Sequence, residues 1–412
     1  MKYRLGLIDH GFVPRKLTVA YVAICTGAID IAVLRTAFGL LCDKYPMLRG
    51  TIAVSGSACW LQIPDDGTGS ATIDILEGPI ADWLARGITV VDPALGLAKL
   101  TIVRDGAQTA VALQVCHAIN DASMGFALLE YFWHTAAMLS GSAGFLDPSP
   151  VQPRSLERAY DARALALPPP AVSAARPVHS LTSVDTGVDR GFAPTPAMRI
   201  ALSRNDTAAL LEHARASGTT LHALLSAAII RAERATLAVP GTAAAELPMI
   251  MFHLVDLRPH LRPTVQRDEV TNALGFVPTV TAATPETDLG VLAKHAKEQI
   301  IDGIADGSAL AVMLAAAEVA ATGRARTGVG NFITNWGPVP ALTVPAGVEI
   351  VDLRGFATSE AVSWVGYFVS TYADRAGLEL AFSPRHHPRA QIARLRDLIA
   401  ANLAELTHTP LS

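Results

Sequence analysis

The sequence predicts a mixed α/β fold in two halves, and three observations carry that expectation. Apolar β-like runs alternate with stretches whose apolar residues recur at helical spacing. A segment rich in proline, alanine and serine divides the chain before its midpoint. Half of the 412 residues are hydrophobic and only 17% are charged, which is enough apolar material for two cores and a cavity besides.

Taken in order, KLTVAYVAICTG at Lys16 to Gly27 reads as a strand. Asp30 then caps a helix whose residues Ile31, Leu34, Phe38, Leu41 and Cys42 form one apolar face, and Tyr45-Pro46 stops it. Leu97 to Val103 and Thr109 to Cys116, on either side of Asp105-Gly106, read as a hairpin, and a helix is expected from about Ser123 to Leu139. The stretch PSPVQPRS and then LALPPPAVSAARPVHS is linker chemistry. This gives an expected division into residues 1–147, a linker over 148–195, and residues 196–412. In the second half a strand at Met198 meets a capping Ser203, Asn205 or Asp206, the helix stops at Gly218, and Thr219 or Thr220 caps the next helix, LHALLSAAIIRAERA. Strands are expected near Met249 to Val255 and Gly328 to Thr334, with a hairpin from Phe368 to Phe382.

Composition excludes several functions. A net charge of -4 offers no basic face for phosphate contacts, so nucleic acid is not an expected partner. The longest charge-free run, Thr327 to Val348, holds four Gly, three Pro and two Asn, so no membrane span is expected. MKYRLGLIDHGF reaches Asp9 before any useful apolar run and is not read as a secretory signal. Cys25, Cys42, Cys59 and Cys116 show no metal-ligand spacing; they read as reduced core residues of a cytoplasmic protein with no metal site. TGVGNFITNWG lacks the GK[ST] ending of a phosphate loop.

The chemistry-bearing stretch is QVCHAINDASMGFALL. It places His117 four residues ahead of Asp121, between a strand and the start of a helix. With 12 His in the chain such a spacing can arise by chance. Its meaning depends on three further segments: KYPMLRG at Lys44 to Gly50, VDLRP at Val255 to Pro259, and NFITNWGP at Asn331 to Pro338. Together the four resemble the CoA-dependent and carrier-protein-dependent acyltransferases that share a fold with chloramphenicol acetyltransferase and with nonribosomal peptide condensation domains. Within that superfamily they are most similar to polyketide-associated acyltransferases of the phthiocerol dimycocerosyl transferase kind. Two positions depart from the common HHxxxDG pattern: Cys116 replaces the first His and Ala122 the closing Gly, which restricts the turn after Asp121.

A thioester is already activated, so transfer to a hydroxyl requires a base and a stabilised oxyanion but no covalent serine. Histidine, unprotonated near neutral pH, suits the first task. Asp121 could orient the imidazole, as in a hydrolase triad, or pair with an arginine. The resemblance implies the second, with Arg258 as partner, and His117 as general base. It also implies two similar domains packed as a V around a central channel, no tightly bound cofactor, and an acyl-CoA or phosphopantetheinyl carrier protein as donor. The acceptor would be a hydroxyl of a polyketide, lipid or other secondary metabolite. Thr334, Asn335, Trp336 and Gly337 are candidates for oxyanion or substrate positioning, although a Trp beside Gly at a turn also reads as a packing plug. Arg324 and Arg326 are candidates for docking the donor's phosphate. An amide-forming, free-standing condensation-type enzyme and a non-catalytic docking or scaffold module of a synthase are the alternatives.

Overall fold

The computed structural model describes residues 1–65, 67, 69, 71–159, 178–182, 195–237, 245–321, 330–359 and 362–408. In the first half the elements are Lys2–Arg4 (β1), Leu7–Gly11 (α1), Thr18–Thr26 (β2), Ile31–Lys44 (α2), Thr51–Ser55 (β3), Ala58–Gln62 (β4), Thr72–Glu77 (β5), Ile80–Arg86 (α3), Ala98–Asp105 (β6), Gln108–Cys116 (β7), Ala122–Leu139 (α4) and Leu156–Ala159 (α5). The second half continues with Ala197–Ala201 (β8), Arg204–Ala216 (α6), Leu221–Thr236 (α7), Leu247–Asp256 (β9), Leu274–Ala283 (β10), Leu289–Ala305 (α8), Ser308–Ala321 (α9), Asn331–Pro338 (β11), Glu349–Thr358 (β12), Val365–Tyr372 (β13), Arg375–Phe382 (β14) and Arg389–His408 (α10).

Local chemistry starts these helices where side chains can take up orphan amides. Asp30 accepts from the amides of Ala32 and Val33, Thr220 from Ala223, and Asp288 from Val291; Ser203 and Asp206 form a reciprocal capping box. The β6–β7 hairpin closes through Gly106, whose φ of +57° is open to glycine at little cost.

The sheets are mixed. A five-stranded sheet runs β12-β2-β7-β6-β5, with only β5 and β6 parallel, and a six-stranded sheet runs β10-β9-β11-β13-β14-β8, with β11 parallel to both neighbours. A small β1-β4-β3 sheet flanks the first half. The connection that matters most is β12: it belongs to the second half in sequence but lies along β2, from Glu349 opposite Thr26 to Thr358 opposite Thr18.

Each half has its own core, one around Tyr21, Phe132 and Trp133 and the other around Ile230, Tyr367 and Phe382. A third apolar cluster joins them, with Val22 and Trp83 from the first half packed with Phe356 and Phe368 from the second. Among the described residues no single helix is long and apolar enough to cross a membrane.

Two expectations need adjustment. Asn335-Trp336-Gly337 is not at a turn between elements but inside β11, Asn331–Pro338, with a register shift between Asn335 and Pro338, while Gly328 lies outside the described residues. Much of the proline-rich linker, residues 160–177 and 183–194, lies outside the described residues.

The indole of Trp336, from β11, can lie against the backbone of β12 because residue 355 has no side chain. A Cβ at Gly355 would lie 1.8 Å from the indole of Trp336. Gly355→Ala should therefore cost about 1–3 kcal/mol through overpacking and lower the melting temperature. Thermal unfolding of the two proteins checks this, and an unchanged Tm would show that the indole has room to retreat.

Candidate active site

The site begins where β7 ends. After Cys116 the chain makes one 3₁₀ turn over His117–Ile119, and Asp121 then caps α4 by accepting from the amide of Met124 at 3.0 Å. Ala122 is the first residue of α4, and its φ is not positive, so glycine is not required there. Glycine is required one turn later: a Cβ at Gly125 would stand 1.8 Å from the hydroxyl of Tyr21. That hydroxyl donates to the carbonyl of Asp121 at 3.1 Å and accepts from Asn120 at 3.0 Å, which ties the loop to β2. Burial pushes the Cys116 thiol up to about 12, so it carries no thiolate at neutral pH.

His117 is held from three sides. Its amide donates to the carbonyl of Leu17 at 2.8 Å, and its carbonyl accepts from Asn272 Nδ2 at 2.9 Å. Its ring stacks on Phe12 with centroids 4.0 Å apart and planes 18° from parallel. Burial lowers its pKa below the ordinary histidine value; its own carbonyl, Asp121 and the Asn272 side chain oppose that shift without cancelling it. The imidazole is thus held toward its neutral form.

Asp121 faces away from this task. Its Oδ2 accepts from Arg258 at 2.7 Å and from the amide of Ala273 at 2.9 Å, and it makes no hydrogen bond to His117. Arg258 also reaches Asp256 at 3.2 Å and the carbonyl of Val270 at 3.0 Å, and both charged side chains are nearly sealed from solvent. The pair therefore pins a loop of the first half to two segments of the second.

His117 opens onto an apolar cavity of about 300 Å³ built by both halves. Phe12, Leu17 and Val19 contribute from one side, and Phe252, Phe276, Met313, Phe332, Trp336 and Phe368 from the other. Thr334 lines the same cavity. Trp336 forms part of its wall, with its ring 5.4 Å from Tyr21 and 6.1 Å from Phe368. Asn335 and Gly337 serve each other instead: the Gly337 amide donates to Asn335 Oδ1 at 2.9 Å, which holds residue 337 at a φ of +73° and leaves that amide committed. Arg324 and Arg326 lie outside the described residues.

Residues 193–381 match the family described as phthiocerol/phthiodiolone dimycocerosyl transferase C-terminus. The phthiocerol/phthiodiolone dimycocerosyl transferase of Mycobacterium sp. (strain JLS) is 24% identical over 365 residues, 85% of each chain. Over that length the chain is similar to these transferases. Its fold is that of polyketide synthase associated protein 5 from Mycobacterium tuberculosis, with a TM-score of 0.73 at 22% identity over 98% of each chain. It is also that of a trichothecene 15-O-acetyltransferase from Fusarium sporotrichioides, with a TM-score of 0.72 at 10% identity over 98% of this chain and 95% of the other.

Three residues near His117 escape sequence reasoning: Phe12, Asn272 and Asp9. Asp9 is fully buried in α1, where Ser155, Thr271 and Asn272 all donate to its carboxyl. A lone acid in the apolar GLIDHGF was the available signal, and nothing marked Asn272.

Two predictions follow from this geometry. Arg258→Ala strands the buried carboxylate of Asp121 and should destabilise the fold by about 3–5 kcal/mol; denaturant unfolding measures it, and a variant as stable as the parent would detach the pair from the architecture. The Asp9 carboxyl is raised to about 7, first by burial and then by the charge of Glu157. A folded pKa above the unfolded value of about 3.9 means that the stabilising contribution is complete at acid pH and is lost as pH rises toward 7. The parent should therefore lose Tm relative to Asp9→Asn between pH 5 and pH 8, and a difference that stays flat across that window counts against a proton on Asp9.

Proposed function

We propose that this acyltransferase moves an acyl group from a CoA or phosphopantetheinyl carrier-protein thioester to a hydroxyl of a lipid or polyketide-type acceptor. The observation that carries the reading is a buried imidazole, held toward neutrality, at the wall of an apolar cavity built from both lobes. Nδ1 of His117 is sealed, which leaves Nε2 as the nitrogen to meet a substrate. In the proposed step Nε2 takes the acceptor's proton as its oxygen adds to the thioester carbonyl. The tetrahedral intermediate then collapses, the carbon–sulfur bond breaks, and the imidazolium returns the proton to the departing thiolate. The products are an ester and a free thiol, with no covalent enzyme intermediate.

Thr334 is the residue we assign to positioning the substrate or its oxyanion, since it lines the cavity that His117 faces. Trp336 serves as wall. Asp121 and Arg258 support the loop rather than the proton transfer. The lobes are taken as residues 1–147 and 196–412 with 148–195 between them. The apolar lining suits an aliphatic acyl group or acceptor, and the relatives' name, dimycocerosyl transferase, points the same way.

His117→Ala should lower acyl transfer by at least about 10²-fold, since general-base assistance is commonly worth about 10²- to 10⁴-fold. Incubation with a panel of acyl-CoAs, following thiol release with and without candidate alcohols, measures the loss. A folded variant with full activity would sink the assignment.

A further inference from the structure

The protein carries a net charge of -4, yet one stretch of its surface gathers cations. Two recesses adjoin beside β1 and α1, of about 540 and 770 Å³, and Arg4 and Arg158 line both. The larger, outer recess adds Arg154 and the ring of Trp60, with Lys2 Nζ 5.0 Å from that ring. Arg4, Arg154 and Arg158 are exposed. Among the described residues none of the three pairs with a carboxylate, unlike the exposed Arg104 and Arg267, which engage Glu77 and Glu130.

The recesses differ in charge. In the inner one Glu157 and Glu318 offset Arg4 and Arg158, and His10 is held toward its neutral form, first by burial and then by the charge of Arg4. No acidic side chain lines the outer one, and Asp65 at its edge is engaged by the Met1 amine. An anion therefore belongs in the outer recess. A guanidinium meets phosphate through two parallel hydrogen bonds, and three of them beside an aromatic wall suit a nucleotide with phosphates at separate points. A carrier protein brings a single phosphodiester on a folded domain too large to enter such a recess.

The inner recess leads on from there. Leu7 and His10 of α1 and Ala321 of α9 line it, while Gly11 and Ala320 of the same two helices line the cavity that holds His117. The five residues of α1 span about 7.5 Å at 1.5 Å each, less than the length of an extended phosphopantetheine arm. We propose that the outer recess binds the 3′-phosphoadenosine diphosphate end of coenzyme A, with its phosphates on Arg4, Arg154 and Arg158, and that the pantetheine arm runs past the inner recess and α1 to bring the thioester to His117. The arm's destination rests on the acyl-transfer reading; the nucleotide site does not.

Adenosine 3′,5′-bisphosphate is the probe. Calorimetric titration of the full chain should show one-to-one binding that weakens as salt is raised, and the double variant Arg4→Ala/Arg158→Ala should weaken it roughly 10-fold. In turnover the double variant should raise KM for an acyl-CoA by a similar factor, far more than KM for the same acyl group on pantetheine alone, as an effect on KM rather than kcat. A parent that does not bind the bisphosphate overturns the proposal, and so does a folded double variant that binds it as the parent does. Should the variant not fold, competition in the parent decides: inhibition confined to the acyl-CoA reaction supports the site, and equal inhibition with acyl-pantetheine defeats it. Transfer from a carrier-protein donor with no bisphosphate binding defeats the site and leaves the acyl-transfer reading standing. Bisphosphate binding that depends on the two arginines, with no transfer from any thioester, upholds the site and ends that reading.

Discussion

The ion pair between Asp121 and Arg258 is the constraint on which the rest of the site depends. Both groups are almost wholly removed from water, and desolvation offsets most of what their attraction contributes, so the pair is a poor source of net stability. What it supplies is a unique arrangement. Asp121 caps α4 and receives the amide of Ala273, while Arg258 holds the carbonyl of Val270. The segment from Val270 to Ala273 is thereby fixed against the histidine loop, and with it Asn272. Any slip that opened one contact would leave a buried charge without its partner. The junction is specified by penalty for error rather than by strength of attraction.

That junction also explains why the cavity lies where it does. β12 lends the first half a strand from the second, so the halves share a sheet and cannot separate as independent bodies without breaking a nine-pair ladder. Where the sheets approach, large rings from both sides meet around Trp336, and glycines at 125 and 355 create the space that these rings occupy. Packing rigid aromatic groups against each other leaves gaps that smaller side chains cannot fill. An apolar cavity at the seam is the consequence, and His117 stands at its edge.

The elements that sequence made legible share strong local signals. The first strand and its Asp30-capped helix, the Asp105-Gly106 hairpin, the helix after Asp121 and the Ser203 capping box all announce themselves in a few adjacent residues. β10, β12 and the helix α9 carried no comparable mark. β12 is set by pairing with a strand more than 300 residues earlier, and α9 is apolar on most faces because it packs between α1 and β10 while lining the cavity. At the site, His117, Asp121 and Arg258 could be read from motifs. Asn272 and Asp9 could not, because their roles arise from where distant segments meet rather than from spacing along the chain. NFITNWGP drew attention to the right strand but for mixed reasons: Thr334 and Trp336 face the cavity, while Asn335 and Gly337 hold a bulge.

The same geometry settles how the charges of the HxxxD loop are divided. A buried carboxylate close to an imidazole favours the imidazolium, and a protonated histidine cannot accept a proton from a substrate. Asp121 does act on His117 in that direction, yet burial wins and the ring stays biased to neutrality. Arg258, with its guanidinium 2.7 Å from the carboxylate, sets a charge of the opposite sign beside Asp121 and so works in the same direction as burial. An unpaired Asp121 would place its full field on the imidazole in a low-dielectric setting, where it counts for most. The arginine thus has two effects through one contact. It fixes the loop mechanically, and by offsetting Asp121 it favours the neutral imidazole that the proposed mechanism requires of His117.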